Sequence, residues 1–214
     1  MIKCPIHLKN ISTACGQNMG GIRATYIGNY GMSEFEYEYD IIDSISVSEY
    51  QALDASEQAK YIQEDELYVR YNVDIDGNKI PTAIKSATLT TGAEPMQAFQ
   101  FRSQTGSMVQ DLEANDNGTN FFNITVNLVF AKQDAHKRLA IQSLAMGETC
   151  AVVEDNNGKK WYVGHANPLR LTTSTADTGT AYSDSNAYTL ALTTADTKMA
   201  LPISDEALAT LLGE

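Results

Sequence analysis

Apolar and polar residues alternate most regularly between Asn120 and Ala131. Phe122, Ile124, Val126, Leu128 and Phe130 occupy one set of positions, and Asn123, Thr125, Asn127 and Val129 the other. A two-residue period with one mostly polar side predicts a strand buried on one face, with the first set as its core side. The period then changes. Asp134 is placed to cap a helix over about 134–146, with Ala140, Ile141, Leu144 and Ala145 among its apolar positions and Gly147 at its end. Thr149–Glu154 is apolar and β-branched, Asn157-Gly158 supplies a tight turn, and Lys159–Gly164 is the returning strand. Strand, helix, strand, turn and strand make 120–164 the best-patterned part of the chain.

The same reasoning covers the flanks. Ile22–Tyr26 alternates as a half-exposed strand. In 34–39, Phe35, Tyr37 and Tyr39 alternate with Glu34, Glu36 and Glu38, giving an amphipathic strand with an acidic face, and 41–47 follows as a second strand. Residues 48–66 are polar and rich in Ala, Gln and Glu, which fits a short helix or a mobile loop. Alternation resumes over 67–75, Asp76-Gly77 marks a hairpin, and 78–84 returns around Pro81. The excursion over 48–84 reads equally well as an arm reaching a neighbouring subunit and as a loop folded back on its own domain. Short strands are expected over 86–91 and 96–102, followed by a polar, exposed loop over 103–118. Beyond 164, a strand starting at Leu169 and Leu171 fades into a Ser/Thr/Asp-rich segment, and Tyr188, Leu190 and Leu192 mark the last strand. Ser204 caps a terminal helix over 204–212, with Asp205 and Glu206 in its first turn and Leu208, Leu211 and Leu212 as its packing stripe. The expectation is one mainly β domain over 1–214, a sandwich or barrel with one flanking helix and a short C-terminal helix.

Charge narrows the choice of function. The net charge is −12, from 27 acidic and 15 basic residues. Such a chain does not grip a nucleic-acid backbone, which needs clustered Lys and Arg, but an acidic wall suits a passage to which phosphate must not adhere. No run is long enough to cross a membrane, and no basic stretch followed by an apolar one marks a leader at the N-terminus. Cys4, Cys15 and Cys150 are too few for a disulfide framework, and Cys4, Cys15 and His7 make a poor zinc set.

Chemistry is not concentrated anywhere along the chain. His7, His136 and His165 are far apart and adjoin no nucleophile motif. Asp184 in YSDSNAY reads as a turn residue, and DNNGKK at 155–160 lacks the alternating oxygens of a calcium loop. Trp161 and Tyr162 beside Lys159 and Lys160 read as cross-strand packing rather than a stacking site. No catalytic residue, cofactor or metal is expected.

Three stretches resemble one family. They are ACGQNMGGIRATYIGNY at 14–30, the strand–helix–strand core at 120–164, and GHANPLRLTTSTADTGTAYSDSNAYTLALTTAD at 164–196. Together they look like the tail-tube and related tail-ring proteins of bacteriophages, particularly those of Bacteroides-like hosts. That resemblance implies a β-sandwich or barrel flanked by a helix, closing into six-fold or twelve-fold rings by joining sheets between subunits. It implies lumen strands from 34–47 and 120–130, with Glu34, Glu36 and Glu38 lining a bore for DNA, and 48–84 as an intersubunit arm. The implied partners are other copies, neighbouring tail or neck proteins, and translocating genomic DNA bound without specificity, with no membrane. The implied location is the virion, after synthesis in the host bacterial cytoplasm. A surface-binding, decoration or fibre module of a virion is the second reading. An enzyme is the third and would need His136, His165 and an acid to converge.

Overall fold

The computed structural model describes residues 20–74, 77–99, 101, 105–115, 119–181 and 184–214. Strands take 53% of the described residues and helices 16%, so the fold is mainly β, in several antiparallel sheets that form no closed barrel among those residues. In chain order the first elements are β1 (Ile22–Asn29), β2 (Ser33–Tyr39), β3 (Ile41–Ser46), α1 (Val47–Gln51), α2 (Ala55–Gln58), β4 (Ile62–Glu64), β5 (Leu67–Tyr71) and β6 (Pro81–Leu89). They are followed by β7 (Gln97–Phe99), β8 (Ser107–Ala114), β9 (Asn120–Ala131), α3 (Ala135–Met146), β10 (Thr149–Asp155) and β11 (Lys160–Val163). The chain ends with β12 (Arg170–Asp177), β13 (Ala187–Asp196), β14 (Leu201–Pro202) and α4 (Asp205–Leu212). Two compact units result, one comprising Tyr37–Ala83 and the other Ile84–Glu214 with the residues before Tyr37 from Gly20 on.

The larger unit holds two sheets around one core. The five-stranded sheet has the order β14-β11-β10-β1-β7 and the four-stranded sheet the order β12-β13-β9-β8. Ile124, Val126, Leu128 and Phe130 of β9 and Leu190 and Leu192 of β13 share a buried cluster with Ile27, Ala151, Val153 and Val163 of the other sheet. Phe122 is half-buried beside it. Full burial of one such aliphatic side chain stabilises the fold by about 1.5–3 kcal/mol. Strand β10 has both faces covered: six of its seven residues are buried, Asp155 being the exception. A central strand enclosed in this way reads as a continuous apolar run rather than an alternation.

Helix α3 closes one side, with Ile141 and Leu144 entering the same cluster. Its N-terminus is held by the Asp134 carboxylate, which accepts the His136 and Lys137 amides at 2.8 and 3.0 Å. Gly147 follows it in extended backbone, so the chain passes straight into β10 without a left-handed cap. Gly213 after α4 is left-handed, with φ +77°. Ser204 caps α4 by accepting the Ala207 amide and donates its hydroxyl to the Lys85 carbonyl.

Three segments differ from the reading of the sequence. The region expected as an exposed loop over 103–118 contains β8, an eight-residue strand paired with β9 from Ser107↔Asn127 to Ala114↔Asn120; residues 102–104 and 116–118 lie outside the described set. The strand expected to fade after Leu171 continues to Asp177, paired with β13 except at a bulge around Thr172. The separate strands expected over 78–84 and 86–91 are the single strand β6, with Pro81 at its first position, where no ladder N–H is demanded. In the first two cases backbone pairing to one neighbour holds a strand whose side chains are mostly exposed and polar, which leaves little periodic signal.

The smaller unit is built on the sheet β3-β5-β4, and residues 48–66 hold two short capped helices before β4. Ser46 and Glu49 form a reciprocal capping box for α1, and Asp54 accepts the Ser56 and Glu57 amides at the start of α2. Tyrosines tie the unit together. Tyr50 stacks on Tyr68 at 3.6 Å, Tyr39 meets Tyr71 edge-on at 6.2 Å, and Lys79 lies 3.8 Å above the Tyr71 ring. Val69 is the one fully buried apolar side chain among its described residues.

Candidate assembly surface

The residues considered for chemistry take structural parts. Cys150 is buried in β10, where its thiol points at the Gly28 and Asn29 carbonyls, and burial pushes its pKa up, the opposite of an activated thiol. His136 is exposed in the first turn of α3. His165 is half-buried in the turn after β11; burial holds it below the ordinary imidazole value, against the opposing pull of Asp196. Asp184 accepts the Thr180 and Ala181 amides at 2.8 Å each and closes that turn. Asp155 organises the 155–160 hairpin by accepting the Asn157 and Lys159 amides, with Gly158 at φ +82°. Trp161 donates to the same Asp155 carboxylate at 3.2 Å. Among the described residues no group of three His, Cys, Asp or Glu side chains is arranged to hold a metal ion. Cys4, Cys15, His7 and Asp76 lie outside those residues.

One structural acid escaped the reading of the sequence. Asp196, at the end of β13, is 2% exposed and accepts the Ala166 and Lys198 amides at 3.1 and 3.2 Å. Its partners lie in turns that no local pattern connects to it. Glu154, also buried, pairs with Arg23 across the β1–β10 ladder.

The acidic strand face is present in β2. Glu34, Glu36 and Glu38 are exposed, while Phe35, Tyr37 and Tyr39 are half-buried between them. Glu36 accepts the Ser86 hydroxyl at 2.8 Å, and Phe35 stands edge-on to Tyr162 at 4.8 Å. Alternation within the strand therefore directs the carboxylates to solvent and the rings toward protein.

The two sheets of the larger unit end differently. The five-stranded sheet is bounded by β7 and β14, of three and two residues. The four-stranded sheet is bounded by β8 and β12, of eight residues each, and neither has a second strand partner among the described residues. Along β12 every side chain but Leu171 is exposed, and β8 exposes Val109 and Leu112. Long edges of this kind present unpaired backbone donors and acceptors to any strand that approaches them.

The chain matches no protein-family model, and no curated protein or solved structure proved similar to it. No helix among the described residues is long and apolar enough to cross a membrane.

Hollows of several hundred cubic ångströms include two with apolar walls. One of about 280 Å³ lies beneath α3, lined by Ile27, Phe99, Ala140 and Leu144 with Glu94 at its edge. The other, about 550 Å³, lies in the smaller unit against Ile42, Ile62, Tyr71 and Val73, with Lys60 and Arg70 beside them. Ser143 and Thr149 also line the first.

Proposed function

We propose that the chain is a structural subunit of a virion that assembles with copies of itself into a ring or tube of a phage tail or neck, leaving a channel through which DNA passes. The observation that carries this reading is the four-stranded sheet with two long, exposed edges. Edge-to-edge addition of β12 of one copy to β8 of the next joins two different edges, a heterologous contact that generates a ring when its rotation closes. The short edges of the five-stranded sheet offer no comparable template. Composition adds support for the channel. A chain of net charge −12 makes a wall that repels phosphate, and the exposed Glu34, Glu36 and Glu38 face is the proposed lining.

Electron microscopy of the purified full-length chain tests the proposal, with Leu112→Lys and Thr175→Lys as edge-blocking variants. Both positions are exposed, so the fold is retained while charge is placed on each edge. Rings or tubes from the native chain, and their loss in the double variant with an unchanged circular-dichroism spectrum, are expected. A native chain that stays monomeric, or assemblies indifferent to both lysines, overturns the proposal. Open fibres in place of closed rings favour the fibre-module reading instead.

A further inference from the structure

Charge is unevenly shared between two places on this molecule, in opposite senses, and both places carry exposed apolar side chains. Tyr37–Ala83 carries 11 of the 27 acidic residues and 3 of the 15 basic ones. Many of those carboxylates are already engaged. Glu49 and Asp54 cap helices, Asp43 accepts from Tyr61, Glu57 pairs with Lys60, and Glu64 accepts from Tyr71 and Lys79. Asp65 and Glu66, exposed in the tight turn of the β4–β5 hairpin, take part in none of these contacts. The hairpin also carries exposed apolar side chains, Ile62 at 48% and Leu67 at 47%. The pairings Ile62↔Val69 and Glu64↔Leu67 put Leu67 and Ile62 on one face, with buried Val69 and the engaged Glu64 between them. The hairpin end is therefore an acidic tip beside two half-exposed apolar side chains.

Helix α3 has the opposite charge. Between Lys132 and Gly147 the sole acid is Asp134, which caps the helix, while Lys132, Lys137 and Arg138 cluster at its start. Lys137 is turned back onto the Ala131 and Lys132 carbonyls and the Asp134 carboxylate. Arg138 is exposed and takes part in no ion pair among the described residues. On the solvent face Leu139 is 56% exposed and Met146 92%. They are seven residues apart and so lie on one stripe. Burying the inner stripe of Ile141 and Leu144 leaves this outer stripe without a partner among the described residues.

We infer that the acidic β4–β5 hairpin of one copy docks on the outer face of α3 of a second copy, with Asp65 and Glu66 against Lys132 and Arg138 and the Leu67–Ile62 face on the Leu139–Met146 stripe. Charge complementarity selects a second copy's α3 as the occupant, since a chain of net charge −12 otherwise meets its own copies as a like charge. The inference rests on the self-assembly reading and names a contact distinct from the sheet edges. It makes the 37–83 unit a clasp between subunits whose strands are already joined elsewhere.

Zero-length carbodiimide coupling of an equal mixture of nitrogen-15-labelled and unlabelled full-length chain tests it. Hybrid-mass peptides joining Asp65 or Glu66 to Lys132 or Lys137 are expected. Arg138→Glu should lower their yield by about tenfold, the effect of roughly 1.4 kcal/mol in affinity, and Leu139→Ser should lower it without any change of charge. Links found only within one label, or no link between these segments, overturn the inference. The two readings fail separately. Rings seen by microscopy without hybrid links leave the assembly reading standing and remove the clasp, whereas hybrid links between monomers that never close into rings do the reverse.

Discussion

The two compact units of this chain solve the problem of stability in different ways. The larger one encloses aliphatic side chains between two sheets, with Val126, Leu128, Leu190 and Leu192 at 0% exposure. The smaller one buries Val69 alone among its described residues and relies on stacked tyrosines, capped short helices and cation–ring contacts. It also leaves Ile41, Val47, Ile62, Leu67 and Val73 between 39% and 55% exposed. Apolar burial rises with the amount of chain that can be wrapped around a centre, and 47 residues give little of it. The lesson is a difference in enclosure: one unit keeps its aliphatic side chains inside, and the other leaves several of them at its surface.

The comparison is broken most directly in the larger core. Leu128→Ala removes a fully buried side chain at the middle of β9 and should cost about 2–5 kcal/mol in chemical denaturation, lowering the midpoint of the whole larger unit. A loss below about 1 kcal/mol would mean that the β9 face is not the centre of stability.

A smaller and more local effect is expected from Val69→Ala. About 2 kcal/mol of apolar burial is lost where there is little else to lose. Hydrogen exchange over 62–71 should accelerate while the protection of 120–131 and 149–155 stays as it was. Equal loosening of both regions would show that the two units unfold together.

The smallest effect concerns pH. Tyr71 donates its hydroxyl to Glu64 at 2.6 Å, and this bond to a carboxylate, with some burial, pushes the tyrosine pKa up to about 12. The neutral phenol is the form the folded unit favours. Its contribution is therefore complete below the ordinary tyrosine value near 10 and is lost as pH rises toward about 12. Burial also raises Tyr37 and Tyr61, so ultraviolet titration should show several late tyrosinates, of which the last disappears in Tyr71→Phe. Glu64 has the opposite sign: its lowered pKa, due first to the Tyr71 hydroxyl, gives a contribution lost as pH falls through the carboxylate range.

What the sequence made legible followed from burial. Strand β9, helix α3 with its Asp134 cap, the 155–160 hairpin and the Ser204-capped α4 each pair a local signal with a buried face. Strand β8 and the far half of β12 were hidden because an edge strand is held by its neighbour's backbone, and the side chains of MVQDLEA and TTSTAD are under little pressure to alternate. Those hidden strands are the ones that matter for the assembly reading. The acidic alternation of β2 was plain in the residues, whereas the outer stripe of α3 became visible only when Ile141 and Leu144 defined its inner side. The buried role of Asp196 depends on turns remote in sequence, and alternation carries no information about them.

The order of the five-stranded sheet has a consequence for how the chain is made. Strand β1 lies between β10 and β7, and its main ladder joins Asn29 to Thr149. A ribosome adding about 5–20 residues per second therefore releases β1 on the order of ten seconds before β10 exists to pair with it. During that interval the only ladder open to IRATYIGN among the described residues is the one with the three residues of β7, besides a single bridge from Ile22 to Gly106. On a polysome, where several copies of this strand emerge close together, its unpaired backbone groups are a hazard of premature pairing.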